Sequence, residues 1–521
     1  MISNADFIVE KKKNKDLNPC KEINYCLTSY IQPFALLIMV DEILDIKKIS
    51  ANATMFAGLP KNLLEKNFLT LIEYSSHLTI FDAISELKVK NRNNHFYLRW
   101  NWNKNLLLTP QHAEGFLFYS GNFLCFEVIL PATTASKMKV DYLSRKIRAT
   151  HEIATYEGHL SDFAILLTKH IRMLTDFDRL YCLRFDSQGN GMVIGESSNG
   201  IYPSLMSHYF PSTDIPTNLH AVYCVNRFRH YPDRNYEPVV ILEVNSINQP
   251  LDLSLSLSRQ VGRSHLKYLE NMGVEASVSF SVVVDGKLWG LIGGHNSTSK
   301  LLRLQQLLDI QNLVELFASK IHAITELNQR DQLTQRLNRV IELTHNFVQC
   351  HCDLNMFAQK NVEALKAMMQ ADGIIWVKGN EIGSNGISKS NILPLINFAL
   401  TRTCHNGVFS TNSLSAQNSL FELCAKEASG MLALAFNRNE LMVWLRVEQL
   451  QQKKWGGNPN TPIETDENGV LNPRNSFATW VELVRNTSLP WELLDFNVAS
   501  EMCFAFTSVK LNQVLRLEPS L

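Results

Sequence analysis

One short stretch of the chain places sulfur and imidazole side chains together, in Cys350-His351-Cys352, with His345 shortly before it. Thiolate and imidazole are ligands that zinc prefers, but a structural zinc site needs four of them. The sequence has no second close pair to complete the set. We therefore interpret this stretch as a coincidence on a helix and predict no metal site.

A second stretch resembles a phosphate-binding loop, with Gly189-Asn190-Gly191 followed by Gly195. The spacing of the last glycine is wrong for such a loop, and strand-forming residues flank the glycines on both sides. A hairpin turn is therefore favoured. No G-x-S-x-G, H-E-x-x-H or Walker motif occurs in the sequence, so generic motifs point to no enzyme class.

Length and charge narrow the classes of protein to which the chain can belong. Its 521 residues correspond to about three domains, and a hydrophobic content of 45% is too high for a chain that stays disordered. Fifty basic residues balance fifty acidic ones. With no net field to attract nucleic acid or an anionic membrane, we expect neither as a main partner.

The length of the apolar runs and the spacing of the cysteines indicate the cellular compartment of the protein. The longest apolar run is seven residues (34–40), whereas a membrane span needs about 20. The first twenty residues lack an apolar run of signal-peptide length. Ten cysteines without paired spacing suit reduced thiols better than disulfides. We expect a cytoplasmic protein.

Hydrophobic patterns predict alternating sheet domains and helices. Short strand-like runs occupy residues 32–130, and a helical span covers residues 135–174. In the next domain, RLYCLRF and MVIGESS, and later VSFSVVV and KLWGLIGG around Asp285-Gly286, read as two hairpins. A third domain contains GMLALAF and ELMVWLRV as adjacent strands, a polar arm over residues 456–477 and a helix over residues 490–511.

The stretch from residue 301 to residue 372 contains no Gly and no Pro, and its apolar residues keep a helical rhythm. A continuous helix over residues 303–349 would be about 70 Å long, too long to pack along one domain. We expect it to connect domains or to pair with a second copy. Apolar stripes on this helix and on the one over residues 490–511 favour a homodimer.

Several longer motifs are specific to one family. They are C-x-E-I (residues 20–23) and YIQP near the N-terminus, FPSTDIP (residues 210–216), HLKYLENMGVEASVSFSVVVDGKLWGLIGGH (residues 265–295), WLRVE (residues 444–448), WGGNP (residues 455–459) and NPRNSF (residues 472–477). In this order they resemble the photosensory core of bacterial phytochromes. The resemblance covers nearly the whole chain.

The resemblance implies an α/β (α+β) fold class with three sheet-plus-helix domains joined by long helices. An N-terminal extension would cover residues 1–16, a PAS domain residues 17–134, a GAF domain residues 135–322 and a PHY domain residues 323–521, with a tongue arm at about residues 449–487. It also implies an N-terminal figure-of-eight knot, in which the segment before the I-Q-P motif passes through a loop of the GAF domain. Threading of this kind is rare in proteins.

The cofactor implied is biliverdin IX alpha, a linear tetrapyrrole, covalently bound. The family forms a thioether from an N-terminal Cys twelve residues before the Gln of I-Q-P, and Cys20 stands twelve residues before Gln32. A thiolate is the nucleophile that this addition needs. Cys26 is the competing thiol. Relatives that anchor the bilin in the GAF domain have a Cys before the pocket His265, where this chain has Ser264, a weak nucleophile that argues for biliverdin.

The resemblance also assigns the pocket residues. The Asp214 carbonyl and His265 would face the pyrrole nitrogens, Arg229 and Arg259 would bind the propionates with help from Ser277 and Ser279, and His295 would bind the ring D carbonyl. Further pocket positions are Ile31, Leu183, Phe210, Ile215, Pro216, Tyr223, Ser264 and Tyr268. The alternative interpretation is a set of ordinary core and surface residues.

Two positions depart from the family pattern. The family has Tyr in a Y-R-F triplet beside ring D, where this chain has Leu183. The family also has Cys before the ring D His, where this chain has Gly294. Both changes loosen the wall beside the isomerising ring.

The implied function is a red/far-red photoreceptor that switches by photoisomerisation of ring D. Arg474 of the arm would pair with Asp214, and Ser476 or Trp480 would replace it after conversion. The alternative is a PAS/GAF module that binds another small molecule or only dimerises. An enzymatic output is a third possibility, but about 44 residues after Phe477 are too few for a transmitter. We therefore expect the sensory part of a histidine kinase or another signalling protein, with its output on a missing domain or partner.

Overall fold

The computed structural model describes residues 27–55, 59, 62–90, 95–106, 112–129, 140–215, 219–243, 250–403, 407–449, 451–458, 464–465, 471–472 and 479–517. The chain divides into two compact units. One comprises residues 1–322 and 454–480, and the other comprises residues 323–453 and 481–521.

The N-terminal domain is a sheet packed against helix α1. Its elements are β1 (Leu27–Thr28), β2 (Tyr30–Ile31), β3 (Ala35–Val40), β4 (Ile46–Ser50), α1 (His77–Lys90), β5 (Phe96–Asn101), β6 (His112–Ser120) and β7 (Phe123–Ile129). The sheet order is β2-β12-β4-β3-β7-β6-β5, in which β12 (Val239–Glu243) comes from the next domain. Phe68, Trp100 and Phe126 pack together at the centre of its core.

The second domain contains the antiparallel sheet on which the candidate site is built. Its further elements are α2 (Val140–Ala154), α3 (Leu160–Thr175), β8 (Arg179–Phe185), β9 (Gly191–Ser198), β10 (His208–Phe210), α4 (His220–Val225), β11 (Phe228–Tyr231), β13 (Leu251–Asp252), α5 (Arg263–Asn271), β14 (Ala276–Val284) and β15 (Lys287–Asn296). Strands β11, β14, β15, β8, β9 and β10 are neighbours in that order. The predicted helical span 135–174 is two helices, because the chain leaves the helix at Thr155 and Gly158 has a φ of 154°.

Both predicted hairpins of this domain are confirmed. Strand β8 pairs with β9, and β14 pairs with β15. The two residues between β14 and β15, Asp285 and Gly286, have φ values of 50° and 74°. A two-residue turn with both φ values positive matches the twist of the strands and favours Asp-Gly.

The long helix is confirmed as α6 (Leu304–Gln349), which has 46 residues. It ends because His351 and Cys352 adopt left-handed backbone conformations, with φ values of 55° and 56°. The prediction that Cys350-His351-Cys352 lies on a helix is therefore wrong, since these residues form the turn after α6. Cys350 and Cys352 are buried in an apolar core, and the part of the chain that the structure describes contains no cluster of ligands able to hold a metal ion.

The second unit contains a sheet in the order β17-β16-β20-β19-β18. Its elements are α7 (Leu354–Met368), β16 (Gly373–Lys378), β17 (Glu381–Asn385), α8 (Lys389–Thr403), β18 (Val408–Thr411), α9 (Leu414–Gln417), β19 (Gly430–Asn437) and β20 (Glu440–Arg446). The predicted pairing of GMLALAF with ELMVWLRV is the β19–β20 pair. The predicted C-terminal helix is α10 (Leu493–Leu517), and Phe506 on it stacks on Phe347.

The polar arm contributes β21 (Gln451–Gly456), β22 (Glu464–Thr465), β23 (Leu471–Asn472) and β24 (Thr479–Val484). Strand β21 pairs in parallel with β10, where Lys454 and Trp455 lie opposite His208 and Tyr209. Among the described residues, no helix is long and apolar enough to cross a membrane.

Candidate functional site

Strand register places the polar residues of the site on one face of the second domain's sheet. Arg229 on β11 lies directly opposite Ser279 on β14, and Ser277 on β14 lies opposite His295 on β15. Successive residues of a strand point to opposite faces, so Ser277, Ser279 and Ser281 share a face. The sheet thus brings together four of the predicted site residues.

Arg229 is a buried cation with neutral partners. Its Nε donates to Ser279 Oγ at 2.9 Å, its Nη2 to Ser281 Oγ at 3.0 Å and its Nη1 to the Asn226 carbonyl at 3.0 Å. The guanidinium lies 3.8 Å from the centroid of the Tyr223 ring. Burial lowers the pKa of Arg229, and the positive charge of Arg259 acts in the same direction. Two cations near one another favour an anionic ligand.

The backbone on both sides of Arg259 is anchored to other parts of the same unit. The buried carboxylate of Glu127 on β7 accepts hydrogen bonds from the backbone N–H groups of Leu257 and Ser258, both at 2.9 Å. The Gln32 side chain donates to the Arg259 carbonyl at 3.2 Å. These bonds fix the position from which the Arg259 side chain extends.

His265 lies on α5 between two tyrosine rings, with centroid distances of 5.3 Å to Tyr231 and 5.9 Å to Tyr268. The surrounding protein and the charge of Arg229 lower the pKa of His265 to about 4. The Tyr268 hydroxyl donates to Asp214 Oδ2 at 3.3 Å. The Tyr268 ring thus lies beside the neutral His265 imidazole while its hydroxyl bonds to Asp214, so these three side chains form one polar group.

His295 is buried at the other end of the site and contacts two side chains of β8. Its Nδ1 lies 2.7 Å from Arg179 Nη2, and its Nε2 lies 3.4 Å from the Tyr181 hydroxyl. Burial, followed by the charge of Arg179, holds the pKa of His295 well below its ordinary value. The imidazole is therefore neutral near pH 7.

An apolar cluster lies beside these polar groups. Its buried members are Leu183, Val193, Leu205, Phe210 and Leu291, and Ile215 and Tyr223 pack against it. The Phe210 ring also contacts Gly456 of the arm, where an added Cβ would lie only 2.8 Å from the ring. Apolar walls with a few converging polar groups are typical of a site for an extended, mostly apolar ligand.

Ile31 is connected to the site by backbone pairing. It is fully buried, pairs with Val239 of β12 and forms a bridge with Arg259. The neighbouring strand β1 pairs with β13. The segment around Ile31 is thus bonded to two separate stretches of the second domain, as a threaded chain would be, and the knot itself stays a prediction.

The remaining predicted residues divide between described and undescribed parts of the chain. Ser264 lies in the first turn of α5, and Trp480 lies on β24 next to Thr479, whose hydroxyl is 2.9 Å from His208 Nε2. Five others lie outside the described residues, namely Cys20, Cys26, Pro216, Arg474 and Ser476. The predicted pairing of Arg474 with Asp214 therefore also lies outside them.

Sequence reasoning missed three residues that the structure adds to the site, Arg179, Tyr181 and Ser281. The signal that would have found them is the two-residue period of a strand. Arg179 and Tyr181 precede Leu183 on β8 at this spacing, and Ser281 follows Ser277 and Ser279 on β14.

Three family models match consecutive parts of the chain. They are a PAS fold over residues 20–127, a GAF domain over residues 159–321 and a phytochrome region over residues 331–514. The chain is a bacteriophytochrome-like photosensory core. It is a red/far-red light photoreceptor, and phytochromes of this kind bind a linear tetrapyrrole in the GAF domain.

Individual phytochromes are similar along most of the chain. Cyanobacterial phytochrome B of Nostoc sp. is 28% identical over 519 residues, which cover 96% of this chain and 67% of that protein. The crystal structure of bacteriophytochrome RpBphP3 from R. palustris is 26% identical, with a TM-score of 0.76, and the match covers 93% of this chain and 97% of that one. The Stigmatella aurantiaca phytochrome photosensory core module is also 26% identical, with a TM-score of 0.75, and 95% and 99% are covered. The chain spans about two thirds of the length of three cyanobacterial phytochromes that it matches.

Proposed function

We propose that this chain binds biliverdin IX alpha through a thioether to Cys20 and changes state when light isomerises the bond to ring D. The observation that carries the proposal is Arg229, a buried guanidinium held by neutral partners next to a second cation, Arg259. A buried charge is costly without an opposite charge, and a ligand carboxylate would supply it. The bilin, when bound, supplies light absorption and the double bond that isomerises.

Arg229 and Arg259 would bind the two propionates. Arg229 is held in place by Ser279 and Ser281, and a fixed guanidinium can bind a carboxylate through two parallel hydrogen bonds. Ser277 is on the same face of β14 and would add a neutral donor. The side chains of this group would therefore orient the ligand by its charged end.

His265 and Asp214 would face the pyrrole nitrogens. A neutral His265 offers one donor and one acceptor, and a pKa of about 4 keeps it in that form near pH 7. The Asp214 carbonyl would accept from the pyrrole N–H groups while its carboxylate accepts from Tyr268. These groups would hold the centre of the chromophore without adding a further positive charge.

The apolar cluster would enclose ring D. Leu183, Phe210, Ile215 and Tyr223 belong to this cluster or pack against it, and His295 lies beside it as the proposed partner of the ring D carbonyl. Pro216 and Tyr268 would complete the wall. The proposed role of these side chains is to exclude water and leave one ring free to rotate.

Cys20 remains the proposed anchor, with Ser264 unsuited as a nucleophile. Strand β1 begins seven residues after Cys20, and seven residues span at most about 25 Å. Replacing Cys20 by Ala should remove covalent bilin in denaturing gels while some reversible binding persists. Loss of attachment in Cys26→Ala with retention in Cys20→Ala would assign the anchor to the other thiol.

The arm would carry the signal. Strand β21 pairs with β10, which ends at Phe210 of the proposed ring D wall, so a movement of that wall acts directly on the arm. In the proposed switch Arg474 pairs with Asp214 in one state, and Ser476 or Trp480 takes its place in the other. Helices α6 and α10 would pass the change to an output module or partner.

A cytoplasmic homodimer is the proposed working form. Exposed apolar side chains on the long helices support it, and Leu327 and Ile341 on α6 and Phe504 on α10 are 60%, 67% and 73% exposed. Such residues favour contact with a second helix. The whole protein's output activity would lie on a further domain or partner.

The test of the proposed function is a spectrum of the chain co-expressed with a haem oxygenase. Red or far-red absorption that light reverses is the expected result. A colourless chain, or a pigment that light leaves unchanged, would overturn the proposal and favour a non-photochemical small-molecule or dimerisation module.

A further inference from the structure

A chain of hydrogen bonds with a fixed direction runs from Arg179 through His295 to Tyr181. Arginine has donors and no acceptor, so the 2.7 Å contact from Arg179 Nη2 makes His295 Nδ1 an acceptor. The imidazole is neutral, and its proton must therefore be on Nε2. Arg179 is itself held by a 2.8 Å bond to the Pro203 carbonyl and by the Tyr202 ring at 4.8 Å.

The direction of this chain decides what the Tyr181 hydroxyl does. Its oxygen lies 3.4 Å from His295 Nε2, which carries a proton and can only donate. The hydroxyl hydrogen of Tyr181 therefore points away from His295. Burial raises the pKa of Tyr181 to about 12, so the phenol keeps this hydrogen at physiological pH.

The neighbouring strand makes room for the Tyr181 ring. Gly293 on β15 lies directly opposite Tyr181 on β8, and a Cβ at residue 293 would lie 2.3 Å from Tyr181 Cζ. Any other residue at this position would push the ring aside. Tyr181 also shares its strand face with Leu183 and packs against the apolar cluster of the pocket.

We propose that Tyr181 donates a hydrogen bond to the ring D carbonyl of the bilin, and that the single Nε2 hydrogen of His295 is shared between this carbonyl and the Tyr181 oxygen. The inference rests on the proposed function, because it requires a bilin in this pocket. Tyr181 would thereby supply a phenol beside ring D in a chain that has Leu183 where the family pattern has tyrosine.

The experiment compares Tyr181→Phe with the wild-type chain, both loaded with biliverdin by co-expression. This substitution removes the hydroxyl and keeps the ring, so folding and covalent attachment should persist. We expect the ring D carbonyl stretch, measured by infrared difference spectroscopy with light, to move to higher frequency in at least one state. Thermal reversion of the photoproduct should change by about two- to tenfold, as for the loss of one neutral hydrogen bond.

The matched control is Tyr97→Phe, which removes a phenol hydroxyl from β5 of the PAS sheet, where it donates to Glu114 at 3.3 Å. The control should keep the wild-type carbonyl frequency and reversion rate. If Tyr181→Phe photoconverts with both values unchanged, the role of Tyr181 is overturned while the photoreceptor stands. If the wild-type chain binds no bilin, the proposed function itself has failed.

Gly293→Ala gives a second measurement, because it moves the Tyr181 ring without removing its hydroxyl. Pushing the Tyr181 ring away from His295 should shift the carbonyl stretch in the same direction as Tyr181→Phe. In a chain that already carries Tyr181→Phe, the added Gly293→Ala change should produce no further upshift. A full additional upshift in the double variant would show that Gly293 acts on the chromophore without Tyr181, against the proposal.

Discussion

Two buried arginines, one in each compact unit, differ in what balances their charge. Arg229 and Arg446 are 5% and 4% exposed, and each lies over an aromatic ring, that of Tyr223 at 3.8 Å and that of Trp491 at 3.7 Å. Arg446 donates to the Asp495 carboxylate at 3.2 Å, whereas the hydrogen-bond partners of Arg229 are hydroxyls and a carbonyl. We infer that Arg446 is a structural residue and that Arg229 keeps its charge for a ligand.

The surroundings of Arg446 agree with a structural role. It also donates to the carbonyls of Met369 at 2.8 Å and Pro490 at 2.7 Å, and Asp495 pairs in addition with Arg336 on α6. Its charge and its donors are therefore satisfied by the second unit alone. If Arg229 binds a ligand as proposed, burial and ring stacking do not distinguish it from a structural arginine, while the counter-charge does.

The largest expected effect is on the stability of the second unit, in which Asp495 balances the charge of Arg446. Asp495→Ala leaves Arg446 and Arg336 without their shared carboxylate, and we expect the free energy of unfolding of this unit to fall by about 3–5 kcal/mol. Denaturant unfolding followed by tryptophan fluorescence measures the change. The control is Glu363→Gln, because the Glu363 side chain is 81% exposed and its pair with Lys366 should contribute less than about 1 kcal/mol. Equal changes in the two variants would contradict the comparison.

Replacing Arg229, whose hydrogen-bond partners are neutral, should lower ligand affinity rather than stability. Arg229→Gln keeps a polar side chain but removes the charge, so we expect biliverdin affinity to fall about 30-fold or more. Titration in a Cys20→Ala background makes the binding reversible and measurable. Arg184→Gln, at an exposed position of β8, is the matched control and should bind as its parent does. A large loss of stability with unchanged affinity would make Arg229 a structural residue like Arg446.

The smallest effect concerns the proton equilibrium of His265 in the protein without bilin. A base with a pKa of about 4 stays neutral at pH 5, where an ordinary imidazole is mostly charged. Removing the charge of Arg229 should raise this pKa, though not to the ordinary value, because the surrounding protein still desolvates the imidazole. An NMR titration of the His265 ring in the wild-type chain and in Arg229→Gln measures it. An unchanged pKa would mean that the charge of Arg229 has no electrostatic effect on His265.

Local sequence rules were sufficient for the elements that short-range physics controls. Asp285-Gly286 fixed a hairpin because both residues tolerate positive φ, and the lack of Gly and Pro predicted α6. The same rules failed where a non-glycine residue adopts a left-handed conformation, as His351 and Cys352 do. That conformation is set by the buried packing of the turn, which no local pattern records.

The residues of the candidate site also divide into those that could be predicted from the sequence and those that could not. His265 was found through a family motif and Arg229 through the wider family resemblance, and the structure places them together with Ser279, Tyr268 and Asp214. The existence of the Arg179–His295 bond could not be predicted, because it depends on the register of β8 against β15. Register is set by pairing across the sheet, over more than a hundred residues of sequence.

The parallel pairing of β21 with β10 has a consequence for solubility during switching. Strand β10 has three residues, with β9 on one side and β21 on the other. If the proposed switch detaches the arm from β10, the backbone N–H and C=O groups of β10 would become a free sheet edge, to which another chain could pair and so begin to aggregate. An edge of three residues offers few such bonds, so its shortness would limit aggregation of the photoreceptor in that state.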